Sequence, residues 1–326
     1  MSRPGGGVPV RVAREATAGG VPTGGDTVST TALAERAAQR PPLLVTGHRR
    51  RWAWLRGNEL GVAGALLVCG LLLVAVLAPV IASSDPTKLS LGARLRPPGP
   101  EHFFGTDEFG RDLFSRVVHG TRISLQVAAS VIAIAAGAGV TLGAVGAYRG
   151  GRWDEAVMRV ADVFMAFPDL VLAMALSAAL GASLSSAILA VSIVWWPTYA
   201  RLIRGQVLSL KQQPFIEAAR AVGASELRVL VHHVVPNTLS PLVVRITTDV
   251  GYAILYTASL GFIGLGAQEP TPEWGRMVAT GRFYLLDQWW YPTVPGLAIF
   301  LAVLGFTWLG DGLRDALDPR LRRTRH

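Results

Sequence analysis

FIEAARAVGASELRVLVHHVVP, residues Phe215 to Pro236, is the one long polar insert between apolar runs that has helix logic of its own. Glu217, Ala218, Ala219, Arg220, Ala221 and Val222 form a short run dominated by good helix formers, and Gly223 follows where a left-handed helix end costs least. Ser225 suits the N-cap of a second short helix, Glu226 to Val234, with acid in its first turn and His232 and His233 in its last. Pro236 is expected to stop that helix. The predicted unit is two short helices meeting at a glycine elbow, with small alanines on the outside. Bulky residues would suit a loop tip that packs into its own protein; small ones suit a knob that enters another protein's groove.

The surroundings of this insert decide the fold class. Of 326 residues, 51% are hydrophobic and 16% charged, whereas a soluble domain carries about a quarter charged residues. The apolar excess therefore belongs in lipid. Leu60 to Ala82 is free of charge and long enough to cross a bilayer, which takes about 20 residues. Ile123 to Tyr148 is a second charge-free run. Leu170 to Ala200 is 31 residues without a formal charge, too long for one crossing. The small, turn-prone stretch Gly181 to Ser186 divides it into a hairpin whose first helix is expected to begin near Asp162. Leu239 to Ala267 and Trp289 to Gly310 supply a fifth and a sixth span. The prediction is an all-α integral membrane protein with six transmembrane helices.

Six crossings put both ends on one side, and the basic residues say which. The segments to Glu59, from Tyr148 to Arg159, from Arg201 to Asn237 and after Gly310 hold 22 Lys and Arg, against 7 in Ser83 to Gly120 and Gln268 to Trp290. By the positive-inside bias, both termini and the elbow are expected to be cytoplasmic. The net charge of +9 follows the membrane in this way and does not call for nucleic acid. Cys69 is the single cysteine and lies in an apolar run, which excludes a disulfide framework and a thiolate metal cluster.

Four segments follow from this reading. Residues 1–46, rich in Gly, Pro, Ala, Thr and Arg, form a disordered cytoplasmic tail. Residues 47–118 hold an interfacial anchor (basic residues around Trp52 and Trp54), the first span and an extracytoplasmic loop. Residues 119–313 form the transmembrane core, with the elbow loop at about 204–237, and 314–326 form a basic tail. Glycine and alanine fill the second span, so that helix is expected to lie centrally in the bundle.

The elbow resembles the EAA loop of ABC importer permeases: Glu217, Ala218, Ala219, Gly223 and Pro236 fall in place, with Val235 where Leu is usual. Three further segments, in the same order as in that family, point to its peptide and nickel branch. Gly105, Thr106, Asp107, Gly110, Arg111 and Asp112 resemble the outer-loop GTDxxGRD signature. There the two glycines permit tight turns around an acidic group that Arg111 can bridge through Asp107 or Asp112. A structural turn or docking element is favoured over a metal site, because a guanidinium sits among the carboxylates. Asp162 to Leu170 resembles the DxxxAFPxL segment, with Pro168 expected to kink a helix and Asp162 and Asp169 to cap or snorkel. Ser259 to Gly266 and Pro270 to Gly275 resemble the SFLGLG…PPTPxWG signature, read as a close-packed helix end and an outer loop stiffened at the interface by prolines and Trp274.

The resemblance, covering Trp52 to about Arg320, implies the C-type subunit of a dipeptide, oligopeptide or nickel importer with the type I (MetI-like) permease fold in the bacterial inner membrane. It implies a homologous second permease, two ATPase subunits and an extracytoplasmic binding protein as partners. ATP and magnesium would belong to the ATPases, this chain binding no cofactor, and Glu217 to Gly223 with Pro236 would couple the two. Arg245 and Asp249, one helical turn apart, either staple helices or line the pathway. At Thr257, where the branch commonly has an acid, this chain departs. No HExxH, GxSxG or phosphate-loop motif is present, so no catalytic residue is assigned. A stand-alone secondary transporter, the other class of reading, would need inverted repeats that the sequence does not display.

Overall fold

The computed structural model describes residues 58–317, which form helices and loops with no strand among them. The disordered-tail reading of residues 1–46, the basic anchor before Asn58 and the end of the basic tail lie outside the described residues. Five helices are long and apolar enough to cross a membrane: α1 (Glu59–Ile81), α2 (Leu113–Arg149), α5 (Leu184–Lys211), the continuous helix Glu226–Phe262 and α10 (Trp290–Leu317). A bent pair, α3 (Gly151–Met165) and α4 (Asp169–Leu180), which meet at 90°, is long and apolar enough only when the two are taken together, and makes a sixth crossing if they form one span.

Each boundary has a local cause. Asn58 caps α1 by accepting from the Gly61 amide and donates to the Gly312 carbonyl at 2.7 Å, tying α1 to α10. Along that seam a side chain at Gly64 would stand 2.4 Å from the Leu309 amide nitrogen, so glycine sets how closely the helices approach. Elsewhere α1 exposes Leu66, Leu73, Val76 and Val80, the surface lipid would cover. Ser183 caps α5 after Gly181, whose φ of 89° turns the chain at the divide expected from the sequence.

Helix α2 packs against α1, α3, α5 and the Val235–Phe262 part of the continuous helix, and so lies centrally. At Gly139 and Gly143 an added side chain would meet the α5 backbone 2.4 Å from the Trp196 and Ala200 carbonyl oxygens. The helix starts ten residues before Ile123, carrying Arg116 and Arg122 within it. At about 1.5 Å per residue its 37 residues span about 55 Å, well beyond a ~30 Å hydrocarbon core. Arg116 is accommodated because it is buried among carboxylates and the Pro86 and Pro270 carbonyls.

Two expectations about prolines are corrected. The third span does not begin near Asp162; that residue lies inside α3, and the chain breaks at Ala166 to Pro168. Pro168 holds an extended backbone (φ −59°, ψ 124°) ahead of α4, so it divides the span where a kink was expected. Pro236, expected to end a short helix, ends nothing. After α6 (Pro214–Ala221), α7 (Glu226–Val229) runs through a π-turn at Leu230–Val234 directly into α8 (Val235–Phe262). In the π-turn the Val235 amide donates to the Leu230 carbonyl, five residues back. Widening the turn accommodates the proline ring, and the Asn237 side chain donates to the His233 carbonyl.

Candidate coupling elbow, outer cluster and bundle cavity

The elbow is built from α6, Gly223 and α7. Pro214 opens α6 at its first position, and fully buried Ile216 anchors it to the bundle. The helix ends in a Schellman motif: the Ala224 amide donates to the Ala219 carbonyl at 3.1 Å and Gly223 to Arg220 at 2.9 Å, with Gly223 at φ 85°. A side chain at Gly223 would meet no neighbour, so the requirement there is conformational and not steric. Ser225 then caps α7. Glu217, Ala218, Ala221 and Val222 are exposed, Val222 to 86%, and Leu227 on the second arm to 70%. An isolated chain thus holds out a small, partly apolar knob.

The base of the elbow is clamped by residues that sequence reasoning missed. Arg220, read from the sequence as part of the outward coupling surface, pairs inward with Glu226 at 3.3 Å and lies over the Tyr148 ring. The Tyr148 hydroxyl donates to the same Glu226 carboxylate. Lys211 closes the end of α2 by donating to the Ala147 and Tyr148 carbonyls, and Arg204 grips Asp154 of α3 through two bonds of 2.7 and 2.8 Å. Elbow, α2, α3 and α5 are knit at one end of the bundle. Tyr148 appears in the sequence only as the last residue of an apolar run. Its partner lies 78 positions away.

At the other end, the Gly105–Asp112 segment folds into a buried, densely hydrogen-bonded knot. Gly105 and Gly110 take φ of 78° and 71°, and the Asp107 carboxylate accepts from the Phe109 and Arg111 amides. Arg111 Nε donates to Asp107 at 2.5 Å and Nη1 to Glu269, in the loop that follows Phe262, at 2.6 Å; it does not reach Asp112 in a salt bridge. Asp112 instead caps α2 through the Ser115 amide and accepts from Ser83, with His102 at 3.0 Å. The Thr106 hydroxyl donates to the Ala93 carbonyl and accepts from the Arg96 amide. Glu108 accepts from the Tyr291 hydroxyl, and burial holds its carboxyl above the usual range. Trp274, expected at the membrane interface, is fully buried: its indole N–H donates to the Val117 carbonyl, and its ring lies where a side chain at Gly120 would be. Glu273 caps α9 (Trp274–Gly281) through two amides, and its burial likewise raises its pKa.

Between these ends Arg245 Nε donates to Asp249 at 2.8 Å, and the Tyr199 hydroxyl of α5 donates to the same oxygen at 2.8 Å. Asp162, expected to cap or snorkel, pairs with Arg201 at 2.5 Å. Arg245 and Asp249 line a cavity of about 300 Å³ with Asp169, Trp195, Tyr199 and Tyr256. Thr257 is buried with its hydroxyl donating to the Ala253 carbonyl.

Comparison with known proteins gives this geometry its context. Residues 139–323 match the family described as binding-protein-dependent transport system inner membrane component, and residues 49–98 match the N-terminal TM domain of oligopeptide transport permease C. The chain is 47% identical over 287 residues to a probable D,D-dipeptide transport system permease protein, DdpC, of Escherichia coli K12, covering 88% of this chain and 96% of that one. It is 44% identical to the dipeptide transport system permease protein DppC of Alkalihalophilus pseudofirmus, covering 85% and 91%. It is 43% identical to the glutathione transport system permease protein GsiD of Escherichia coli O6:K15:H31, covering 87% and 94%.

Proposed function

Because the chain belongs to the family of binding-protein-dependent transport system inner membrane components, a multi-pass inner-membrane family of permease subunits, we propose that it forms half of the translocation pathway of an ATP-driven peptide importer. Peptides are favoured over nickel by the names of its relatives, whose cargoes (D,D-dipeptide, dipeptide, glutathione) all carry amide bonds and a free carboxylate. The partners are a homologous permease, two ATPase subunits and an extracytoplasmic binding protein. ATP and magnesium are handled by the ATPases; this chain binds no cofactor and hydrolyses nothing. The excess of Lys and Arg in the elbow-side segments supports a cytoplasmic elbow and cytoplasmic termini.

One observation carries the reading: an exposed, glycine-ended helix stands at the head of an unbroken 37-residue helix, Glu226–Phe262. A push on α6 passes through the hydrogen-bonded turn at Gly223 into that helix, which carries it unbroken into the bundle interior. Glu217 offers its carboxylate to a basic residue of the ATPase groove, and Ala218, Ala221 and Val222 fit where bulkier side chains would not. ATPase closure moves the elbow, and the spans rock around the cavity.

The test is Glu217→Lys, assayed for membrane insertion, for co-purification of the ATPase subunits and for uptake of a labelled dipeptide. Insertion should be normal, with ATPase recovery and uptake both lost. Normal recovery and uptake would refute the coupling role.

A further inference from the structure

We infer that the cavity beside Arg245 is a transit site for zwitterionic peptides, in which Arg245 receives the terminal carboxylate and Asp169 the terminal ammonium. This rests on the peptide-import reading. Stapling of helices accounts for Asp249 but leaves Arg245 without a role. Both lie on α8, one turn apart, so their bond joins no two helices. The cross-helix bond is made by Tyr199, which donates to the same Asp249 oxygen that holds Arg245 Nε. Asp249 is buried, while the Arg245 side chain stays 48% exposed, and only its Nε is hydrogen-bonded among the described residues. Tyr199 and Asp249 thus position a guanidinium whose two terminal nitrogens have no hydrogen-bond partner among the described residues, the fork that matches a carboxylate.

The rest of the cavity complements this end. Asp169, in the first turn of α4 just past the 90° break, brings a carboxylate with no hydrogen bond or salt bridge among the described residues. Trp195 and Tyr256 meet edge to face at 5.1 Å and add an aromatic surface to the same cavity. Arg245, Asp249, Tyr252 and Tyr256 recur at helical spacing on one stripe of α8. At about 300 Å³ the cavity falls at the lower end of small-ligand sites, ~300–1,000 Å³. Charges at this depth face an aqueous path or the bundle interior, and fixed partners of both signs lower the cost of moving a zwitterion through.

The test uses the complete importer in proteoliposomes with its own binding protein. Uptake is compared for labelled dialanine, its C-terminal amide and its N-acetyl form. The binding protein is common to all samples, so its selection cancels when variants are compared with wild type. Arg245→Gln should cut dialanine uptake at least about tenfold and bring the acid-to-amide ratio to near one, with Arg245→Lys intermediate. Asp169→Asn, at an exposed carboxylate, should instead erase discrimination against the N-acetyl form while retaining that against the amide. Wild-type ratios in both neutral variants, with dialanine transported, would overturn the transit site and leave peptide import standing. No dialanine uptake by the wild-type complex would overturn both.

Discussion

The two ends of the bundle use charge in opposite ways. In the Gly105–Asp112 knot, Asp107, Asp112, Arg111 and Arg116 are buried and paired internally: Asp107 with both arginines, Asp112 with backbone and hydroxyl donors, and the more exposed Glu269 with both guanidinia. That end meets most of its charge from within, leaving the buried Arg111 Nη2 and Arg116 Nε without a hydrogen bond among the described residues. At the elbow the internal pairs lie at the base, while Glu217, Val222 and Leu227 project with nothing among the described residues to receive them. The difference separates a framework that holds the spans in register from the surface proposed to receive the ATPase. Mutations at the two ends should therefore register on different instruments, stability at the first and coupling at the second.

The largest stability effect belongs to the knot. Asp107→Ala strips the carboxylate from between two buried arginines, and a broken buried ion pair costs about 3–5 kcal/mol. The expected outcome is a steep fall in the thermal half-life of the detergent-solubilised protein, whether or not the ATPases are present. An unchanged half-life would mean that the knot is not a framework, and the contrast between the ends would collapse.

Gly223→Pro should come next and on the other instrument. Proline fixes φ near −65°, far from the 85° needed, so the Schellman end is lost and α6 leaves its angle. Uptake should fall to background while insertion and half-life stay near wild type, because nothing packs on Gly223. Gly223→Ala, which strains the same φ by about 1–2 kcal/mol, should give a partial loss. Equal uptake in the two variants would show that the elbow's angle does not matter.

What the sequence made legible divides along similar lines. The number of apolar runs, the turn at Gly181 and the glycine end of α6 could be read because each depends on local chemistry. The start of α2 could not. Arg116 interrupts the run in the sequence, but its carboxylate partners Asp107 and Glu269 come from two separate loops. Both prolines misled for a related reason. At Pro168 the restriction on the preceding residue gave a clean 90° break, while at Pro236 a π-turn and the Asn237 side chain absorbed the same defect. Proline's local penalty is fixed; whether the helix ends depends on whether the chain around it can widen, which composition does not encode. The cavity was half legible: the Arg245–Asp249 spacing was plain, but Tyr199 and Asp169 join it only through packing of α4, α5 and α8.

The smallest effect tests whether the elbow is stiff all the way to its base. Tyr148→Phe removes one hydroxyl that joins the end of α2 to Glu226, leaves the ring over which Arg220 and Lys211 lie, and leaves the Arg220–Glu226 pair intact. A hydrogen bond to a charged group at an exposed site contributes about 1 kcal/mol or less, so the elbow should loosen without melting. A spin label at Val222→Cys should report wider motion, and the dipeptides imported per ATP hydrolysed should drop a few-fold with half-life unchanged. That ratio is the informative quantity. A slack handle lets the motor turn without moving its load, whereas a damaged framework slows motor and load together. If the label broadens and the ratio holds, the stiffness that matters lies in the continuous helix Glu226–Phe262 alone, and the clamp at Tyr148 serves only to place the elbow.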